Sequence, residues 1–435
     1  MSSTIVPRSK HRRVLTPWSL QSALNMPSMD RAEGVYLYDS EGKRYLDLSA
    51  GLVAVNLGHG NAHVAEAIAA QAQRLCYASP QFFNDERSRL AERLSALAPW
   101  EEGARTFFTT GGGEANEDAL KMARAITGRH KVLTAYRSFH GSAPGAGTLT
   151  GESRRWPNEP GIPGVVRFFA PYPYRSPFHT ADPALEAARA LEHLELILTY
   201  EDPSRVAALL IEPVVGTNGA IVYPKGYLQG LRELCTRHGI ILIFDEVMCG
   251  FGRTGAPFAA QRFGVTPDMI TFAKAVTSAY VPLGGVLVRE SLAQTFDTIP
   301  LPCGHTFSGH PLAMAAANAA LDEYDRQDLF NRTLTIETWL RDGLAQVMEQ
   351  SPIVGDARGI GAFFAIELVA DRATREPIVA WQGRDAGPLP KLLAGLRDRG
   401  VYAFGRYNVL LITPPLTIER EELNEGLSAL GEVLA

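Results

Sequence analysis

Two charged side chains 29 residues apart, Asp245 and Lys274, have the types and setting that chemistry needs. Asp245 follows the apolar run 240–244 (IILIF), which reads as a strand buried on both faces. Lys274 ends a second apolar run, residues 269–273, that rises after a Pro-Asp turn. Open α/β sheets bind ligands beyond the carboxyl ends of their strands, so two neighbouring strands of this kind deliver an acid and an amine to one crevice. That pair suits pyridoxal phosphate, held as a Schiff base on a lysine while a buried acid keeps its pyridine nitrogen protonated. The protonated ring is the electron sink for a substrate that loses its α-proton, and the charge-assisted hydrogen bond to it is worth ~1.5–3 kcal/mol. A lysine after an apolar run is also a common surface residue at a strand end, so other stretches must decide.

One such stretch is TTGGGEANE, where Gly111, Gly112 and Gly113 lead into a helix expected from about Glu114. Glycines before a helix N-terminus offer unpaired N–H groups and a positive dipole end to a phosphate; a tight strand-to-helix turn has the same look. The stretch lacks GK[ST] and is no GxGxxG, which disfavours nucleotide loops of either kind. A third stretch, YRSFHG, ends the strand 131–135 and sets Phe139 where an aromatic ring would meet a planar cofactor, or where plain core would need one.

The elements that position these residues read as strand, helix, strand in repetition. Strands are expected at 106–109, 131–135, 206–211, 240–244, 269–273 and 282–288, with helices at 85–97 and 226–239 and an Ala-rich helix after GHTFSGHP. This is an α/β pattern with a mostly parallel sheet and helices on both faces. A hairpin at 33–48 turns on Asp39-Ser40-Glu41-Gly42, and Asn61 caps a helix that includes Val64, Ile68 and Leu75. Residues 152–203, rich in Pro, Arg and aromatics, read as an excursion over the surface with a helix at 184–199. Beyond residue 325 come a long helix through Met348, strands at 362–368 and 409–412, and a closing helix at 419–434. The expected division is an N-terminal arm and hairpin (1–70) packing with a small domain (325–435), and a large domain (71–324) between them.

At 435 residues the chain can bury a large core, and its 46% hydrophobic and 20% charged content is that of a globular protein. A net charge of −5 argues against nucleic acid as a partner, and no apolar run is long enough to cross a membrane. Cys76, Cys235, Cys249 and Cys303 lack metal-ligand spacing and read as cytosolic thiols, with no metal site. The basic residues 1–20 have no apolar core behind them and read as a solvated arm in a cytoplasmic protein.

Taken together, AEGVYLYDSEGKRYLDLSAGL, DEVMCGFGRTG, FAKAVTSAYVPLGG and ITPPLTIE resemble the class III pyridoxal-phosphate aminotransferases of the fold type I group, in the family's order and spacing. The resemblance implies that Lys274 carries the cofactor and then shuttles the proton of the 1,3-shift, and that Asp245 pairs with the ring nitrogen. It further implies that Val247 and Phe139 lie against the two ring faces and that the phosphate sits on Gly112 and Gly113, where glycine at 113 replaces a hydroxyl residue. Thr306 matches the threonine that reaches the partner subunit's cofactor phosphate, which implies a homodimer with shared active sites.

Thr217 and Leu411 stand where relatives acting on 4-aminobutyrate or ornithine often carry glutamate and arginine. Arg406, in FGRYNV, is instead placed as in ω-amino acid and amine transaminases, where a mobile arginine receives a carboxylate. TTGGGEANE, YRSFHG and TGESRRWPNEPGIPGVV look most like the taurine and ω-amino acid:2-oxo acid group. The expected activity is ping-pong transfer of an amino group from a taurine- or β-alanine-like donor to pyruvate or 2-oxoglutarate. Other reactions of the same fold (aminomutase, racemase, decarboxylase, phospho-lyase) and a non-catalytic cofactor-binding protein are the alternatives. Val53, Phe82 and Phe83 match pocket-lining segments and equally suit a core; Arg137, Arg154 and Arg155 are further anion-binding candidates, for which solvated positions are expected.

Overall fold

The computed structural model describes residues 13–24, 26–381 and 387–435. Most of the predicted arm, residues 1–12, therefore lies outside the described residues. The centre of the molecule is a seven-stranded sheet in the order Ala104–Thr109, Gly284–Arg289, Met269–Phe272, Ile241–Asp245, Val206–Ile211, Lys131–Ala135, Val165–Phe168. Neighbours pair in parallel except around Gly284–Arg289, which runs antiparallel to both of its partners. Every residue of Val206–Ile211 and Ile241–Asp245 is buried, because helices cover both faces of a parallel sheet. That double cover is why these strands show as continuous apolar runs in the sequence.

Helix ends follow from local chemistry. Asn61 caps Ala62–Arg74 by accepting from the Val64 N–H, and Leu75 falls one residue past the end. Tyr227–His238 stops at Gly239, whose φ of +60° is the left-handed cap that glycine adopts without Cβ strain. Two smaller sheets flank the large one. Met29–Glu33, Tyr36–Asp39 and Arg44–Asp47 are extended by Val401–Tyr402, which pairs in parallel with Arg44–Asp47 and so ties the N-terminal hairpin to the C-terminal region. Val354–Ile360, Phe363–Asp371, Val409–Ile412 and Phe404–Arg406 form an antiparallel sheet whose last strand ends on Arg406.

Three expectations are corrected. The segment 152–203 is more than a surface excursion, since Val165–Phe168 is the edge strand of the central sheet. Three half-buried residues and the buried Phe168, between Gly164 and Pro171, carry too little periodicity to announce a strand. The strand Val354–Ile360 is likewise absent from the sequence reading, because VGDARGI has a low β propensity. The helix after the glycines begins at Gly112 and runs to Thr127, so Gly112 and Gly113 belong to its first turn. Among the described residues no helix is long and apolar enough to cross a membrane.

Candidate active site

The register of two adjacent strands brings acid and amine together. Asp245 stands opposite Thr271 in the parallel pair, and Lys274 follows Thr271 by three residues. After Phe272 the chain leaves the sheet, and Lys274 opens the short turn Lys274–Thr277 with a φ of +49°. A left-handed conformation in a residue with a Cβ costs on the order of 1–3 kcal/mol and persists where the surroundings hold it. Ser278 and Ala279, just past the turn, share it at φ +48° and +63°, so strained backbone stands at both ends of the turn that carries the amine.

Asp245 is buried, and its carboxylate accepts three hydrogen bonds, which leaves one of its roughly four acceptor sites open. Oδ2 accepts from Asn116 Nδ2 at 2.8 Å and lies 2.7 Å from His140 Nδ1, and Oδ1 accepts from the Val247 N–H at 3.1 Å. A carboxylate can only accept, so the imidazole carries its proton on Nδ1. Asn116 is itself fixed, its Nδ2 donating to the His140 carbonyl and its Oδ1 accepting from Thr271 Oγ1, each at 2.8 Å. Neither Asn116 nor His140 was singled out as a site residue. His140 sits beside the noted Phe139, whereas Asn116 could be found only by reading its helix face, four residues after Gly112.

A second buried acid, Glu212, accepts from the Phe139 N–H at 2.9 Å and the Gly216 N–H at 2.7 Å. Burial pushes its carboxyl up to about 7, helped by the charge of Asp245 and opposed by His140. Lys274 is half-buried, and burial lowers its pKa, an effect that nearby Arg154 reinforces and that Asp245 and Glu212 oppose. A lowered lysine pKa frees the amine lone pair for attack on a carbonyl.

The glycines form a cradle. A methyl group on Gly112 would lie 2.7 and 2.8 Å from the two Cγ atoms of Val247, so only glycine lets the helix start press on that side chain. A methyl group on Gly113 would lie 3.6 Å from the Cα of Gly141, an ordinary contact, whereas one on Gly141 would lie 2.7 Å from the Cα of Gly113, so at this second approach the required glycine is Gly141. The first-turn N–H groups of this helix have no intrahelical acceptor, and they point a positive dipole end out of the sheet. Anion cradle, acid, amine and aromatic ring therefore fit the phosphate, ring nitrogen, carbonyl and ring of pyridoxal phosphate.

Around Phe139 the arginines depart from expectation. Arg154, predicted solvated, lays its guanidinium 3.6 Å from the centroid of the Phe139 ring and donates from Nη2 to Thr217 Oγ1 at 2.8 Å. Arg137, also predicted solvated, stacks 3.7 Å over Trp381 and 4.7 Å over Tyr172. Both lie under aromatic rings because guanidinium planes stack on them, a tertiary preference without sequence periodicity. Arg155, also predicted solvated, is only 17% exposed; it pairs with Glu159 at 3.1 Å and donates from Nη1 to the Glu152 carbonyl at 3.5 Å. Arg406 reaches the crevice from the small antiparallel sheet and donates from Nη2 to Glu152 Oε2 at 3.0 Å. The same Glu152 carboxylate accepts from Arg154 Nε.

The remaining candidates are less central. Val53 is buried in a cluster with Val214, Met248 and Leu411, while Phe82 and Phe83 are 66% and 91% exposed. Thr306 is exposed, its carbonyl accepting from Tyr77 at 3.0 Å, and within one chain it makes no hydrogen bond to the Asp245 group among the described residues.

Acid and amine at the carboxyl edge of this sheet, with a glycine-led helix start beside them, define a pyridoxal-phosphate enzyme of fold type I. Comparison with known proteins narrows the class. The model of the class-III aminotransferases matches residues 21–434, and the chain belongs to that family. It superposes with a TM-score of 0.94 on the taurine:2-oxoglutarate aminotransferase from Bifidobacterium kashiwanohense, solved with PLP and glutamate, at 42% identity over 98% of this chain and 96% of that one. The taurine–pyruvate aminotransferase of Bilophila wadsworthia is 34% identical over 421 residues, 92% of this chain and 91% of that protein. A leucine/methionine racemase of Thermococcus litoralis is 35% identical over 422 residues, with 93% and 90% covered.

Proposed function

We propose that this aminotransferase takes its amino group from a small ω-amino acid or primary amine, of the taurine or β-alanine kind, and passes it to pyruvate or 2-oxoglutarate by a ping-pong cycle. The observation that carries the reading is the pair of guanidinium groups, Arg154 and Arg406, converging on one carboxylate beside Phe139. Such a pair suits substrates whose far end is a sulfonate or carboxylate. The likeness to two taurine aminotransferases supports it.

In this reading the amides of Gly112 and Gly113 hold the cofactor phosphate, Asp245 holds the ring nitrogen, and Phe139 and Val247 bracket the ring. When bound, pyridoxal phosphate supplies the electron sink for loss of the substrate's α-proton. Lys274 then works as general base and acid, taking the α-proton at its amine and returning it on the far side of the transferred nitrogen, two atoms along, as a 1,3-shift requires. Asn116 and His140 keep the Asp245 carboxylate oriented and prevent it from turning away from the ring. Arg406 receives the carboxylate of the 2-oxo acid. Thr306 completes the phosphate site of a second copy in a homodimer, which agrees with the exposed Phe82, Phe83 and Phe307 in the single chain. The small C-terminal domain, 325–435, carries Arg406 over the large domain, 71–324.

A single-turnover assay without acceptor tests the substrate. Taurine or β-alanine should yield one equivalent of carbonyl product per subunit, and a 2-oxo acid added afterwards should be converted to one equivalent of amino acid. The racemase likeness supplies the rival reading. Racemisation of leucine or methionine with no carbonyl product from any ω-amino acid or amine would replace the proposal with it.

A further inference from the structure

We propose that Glu152 is a built-in counter-ion that holds Arg406 until a substrate carboxylate displaces it, and so sets the preference between acidic and neutral substrates. The inference rests on the reading of this crevice as the place where the acidic ends of donor and acceptor bind.

Glu152 has no exposed surface, although a carboxylate is among the side chains least often fully buried. Its oxygens are divided between two cations. Oε1 accepts from Arg154 Nε and stands 3.5 Å from Arg406 Nη1, and Oε2 accepts from Arg406 Nη2 at 3.0 Å. Ser153 Oγ and the Arg154 N–H, each 3.3 Å from Oε2, complete its partners. One negative charge faces two positive ones in a partly desolvated place, where each charge interacts more strongly than in water. Among these three side chains cations outnumber anions by one, with Glu212 as a further acid acting on Arg154.

The two arginines are not held equally. Arg154 is 10% exposed and is fixed by Glu152, by Thr217 and by the face of Phe139. Arg406 is 21% exposed and has Glu152, the hydroxyl of Tyr407 at 3.0 Å and, more loosely at 4.8 Å, the ring of the same Tyr407, its chain neighbour. Tyr407 OH in turn lies 2.7 Å from Ser153 Oγ, so the parked position of Arg406 is itself a built arrangement. Of the two, Arg406 has less to lose on leaving. An entering carboxylate offers it the same planar, two-oxygen acceptor that Glu152 does.

Competition of this kind has a defined sign. While Arg406 is parked it is neutralised, which admits a donor with no acidic end beside it. An acidic ligand must draw Arg406 away, so its apparent affinity is reduced by the fraction of time that the arginine is free. Removing the Glu152 charge should therefore tighten acidic ligands, whereas a residue with only a scaffolding role would weaken them.

The test uses holoenzyme and glutarate, a dicarboxylate with no reactive carbonyl, titrated by calorimetry. Glu152→Gln is expected to bind glutarate roughly tenfold more tightly than wild type, to lower KM for 2-oxoglutarate, and to lower kcat/KM for 1-phenylethylamine as a neutral donor. In the Glu152→Gln/Arg406→Ala double variant the gain over Arg406→Ala should vanish. Equal or weaker glutarate binding in folded Glu152→Gln overturns the inference. If that variant does not fold, Glu152→Asp retains the charge but draws it back by one methylene, and it should show a smaller gain in the same direction; no gain also overturns the inference. Should glutarate respond as expected while taurine and β-alanine fail as donors, the proposed substrates fall and the counter-ion stands. Transamination with unresponsive glutarate binding gives the reverse.

Discussion

A methyl group placed on Gly112 would meet the Cγ atoms of Val247 at 2.7 and 2.8 Å. Gly112 is the first residue of its helix, where alanine keeps only part of the ~0.5–1 kcal/mol advantage it has over glycine in a helix interior. The contact reverses that preference: Gly112→Ala is expected to lower stability by ~1–3 kcal/mol through overpacking. Urea denaturation checks this, and Val247→Ala in the same chain should restore most of the loss. A stabilised Gly112→Ala would show that the helix start and Val247 are not in close contact.

Lys274→Ala should abolish turnover, with a loss of at least ~10²–10⁴-fold from the missing acid–base group alone. Its thermal midpoint should stay near that of wild type or rise, because the substitution removes an amine whose charge burial disfavours. Steady-state rates and a thermal melt are sufficient. Retained activity would remove Lys274 from the chemistry.

Asp245→Asn leaves the shape of the site and removes the charge. A charge-assisted hydrogen bond is worth ~1.5–3 kcal/mol, so cofactor affinity should fall by roughly 10- to 150-fold, measured by equilibrium dialysis of pyridoxal phosphate. His140→Ala should cost less, because Asn116 still donates to the same carboxylate oxygen. A larger loss in His140→Ala would reassign the principal role to the histidine.

Arg406→Ala should fall mainly on the carboxylate-bearing acceptor. The expected loss in kcat/KM for the 2-oxo acid is roughly 10- to 150-fold, against a small change for a neutral amine donor. Equal losses for both would make Arg406 a structural residue.

Glu212 gives a pH signature. Its carboxyl is raised by burial from the ordinary 4.5 to about 7 in the folded protein. Below pH 4.5 both states hold the proton; between 4.5 and 7 the unfolded chain loses it first, so folding stability falls as pH rises and levels off above 7. The contribution is on the order of 3 kcal/mol at 1.36 kcal/mol per pH unit. Glu212→Gln should therefore gain on wild type between pH 5 and 7 in chemical denaturation. A wild type that gains on the variant over that window would place an ionised Glu212 in the fold.

The parts of this molecule that were legible in the sequence are those that local pattern specifies. Val206–Ile211 and Lys131–Ala135 coincide with their apolar runs, and Asp85–Leu97 with its periodicity. Asp245 and Lys274 were found because each follows such a run. What escaped depends on partners far along the chain. Glu152 and Arg406 meet across 254 residues, and Asn116 meets Asp245 across 129. Arg154 and Arg137 read as surface cations because nothing local says that Phe139 and Trp381 will cover them. Val165–Phe168 is an edge strand of four residues, too short for alternation to register.

Peptide mapping after borohydride treatment of the holoenzyme tests the central claim most directly, since reduction makes a lysine–cofactor linkage permanent. The account predicts the cofactor's mass on the peptide that contains Lys274, and its disappearance in Lys274→Ala. Cofactor mass on another lysine, or on none in a protein that still transfers amino groups, would contradict it.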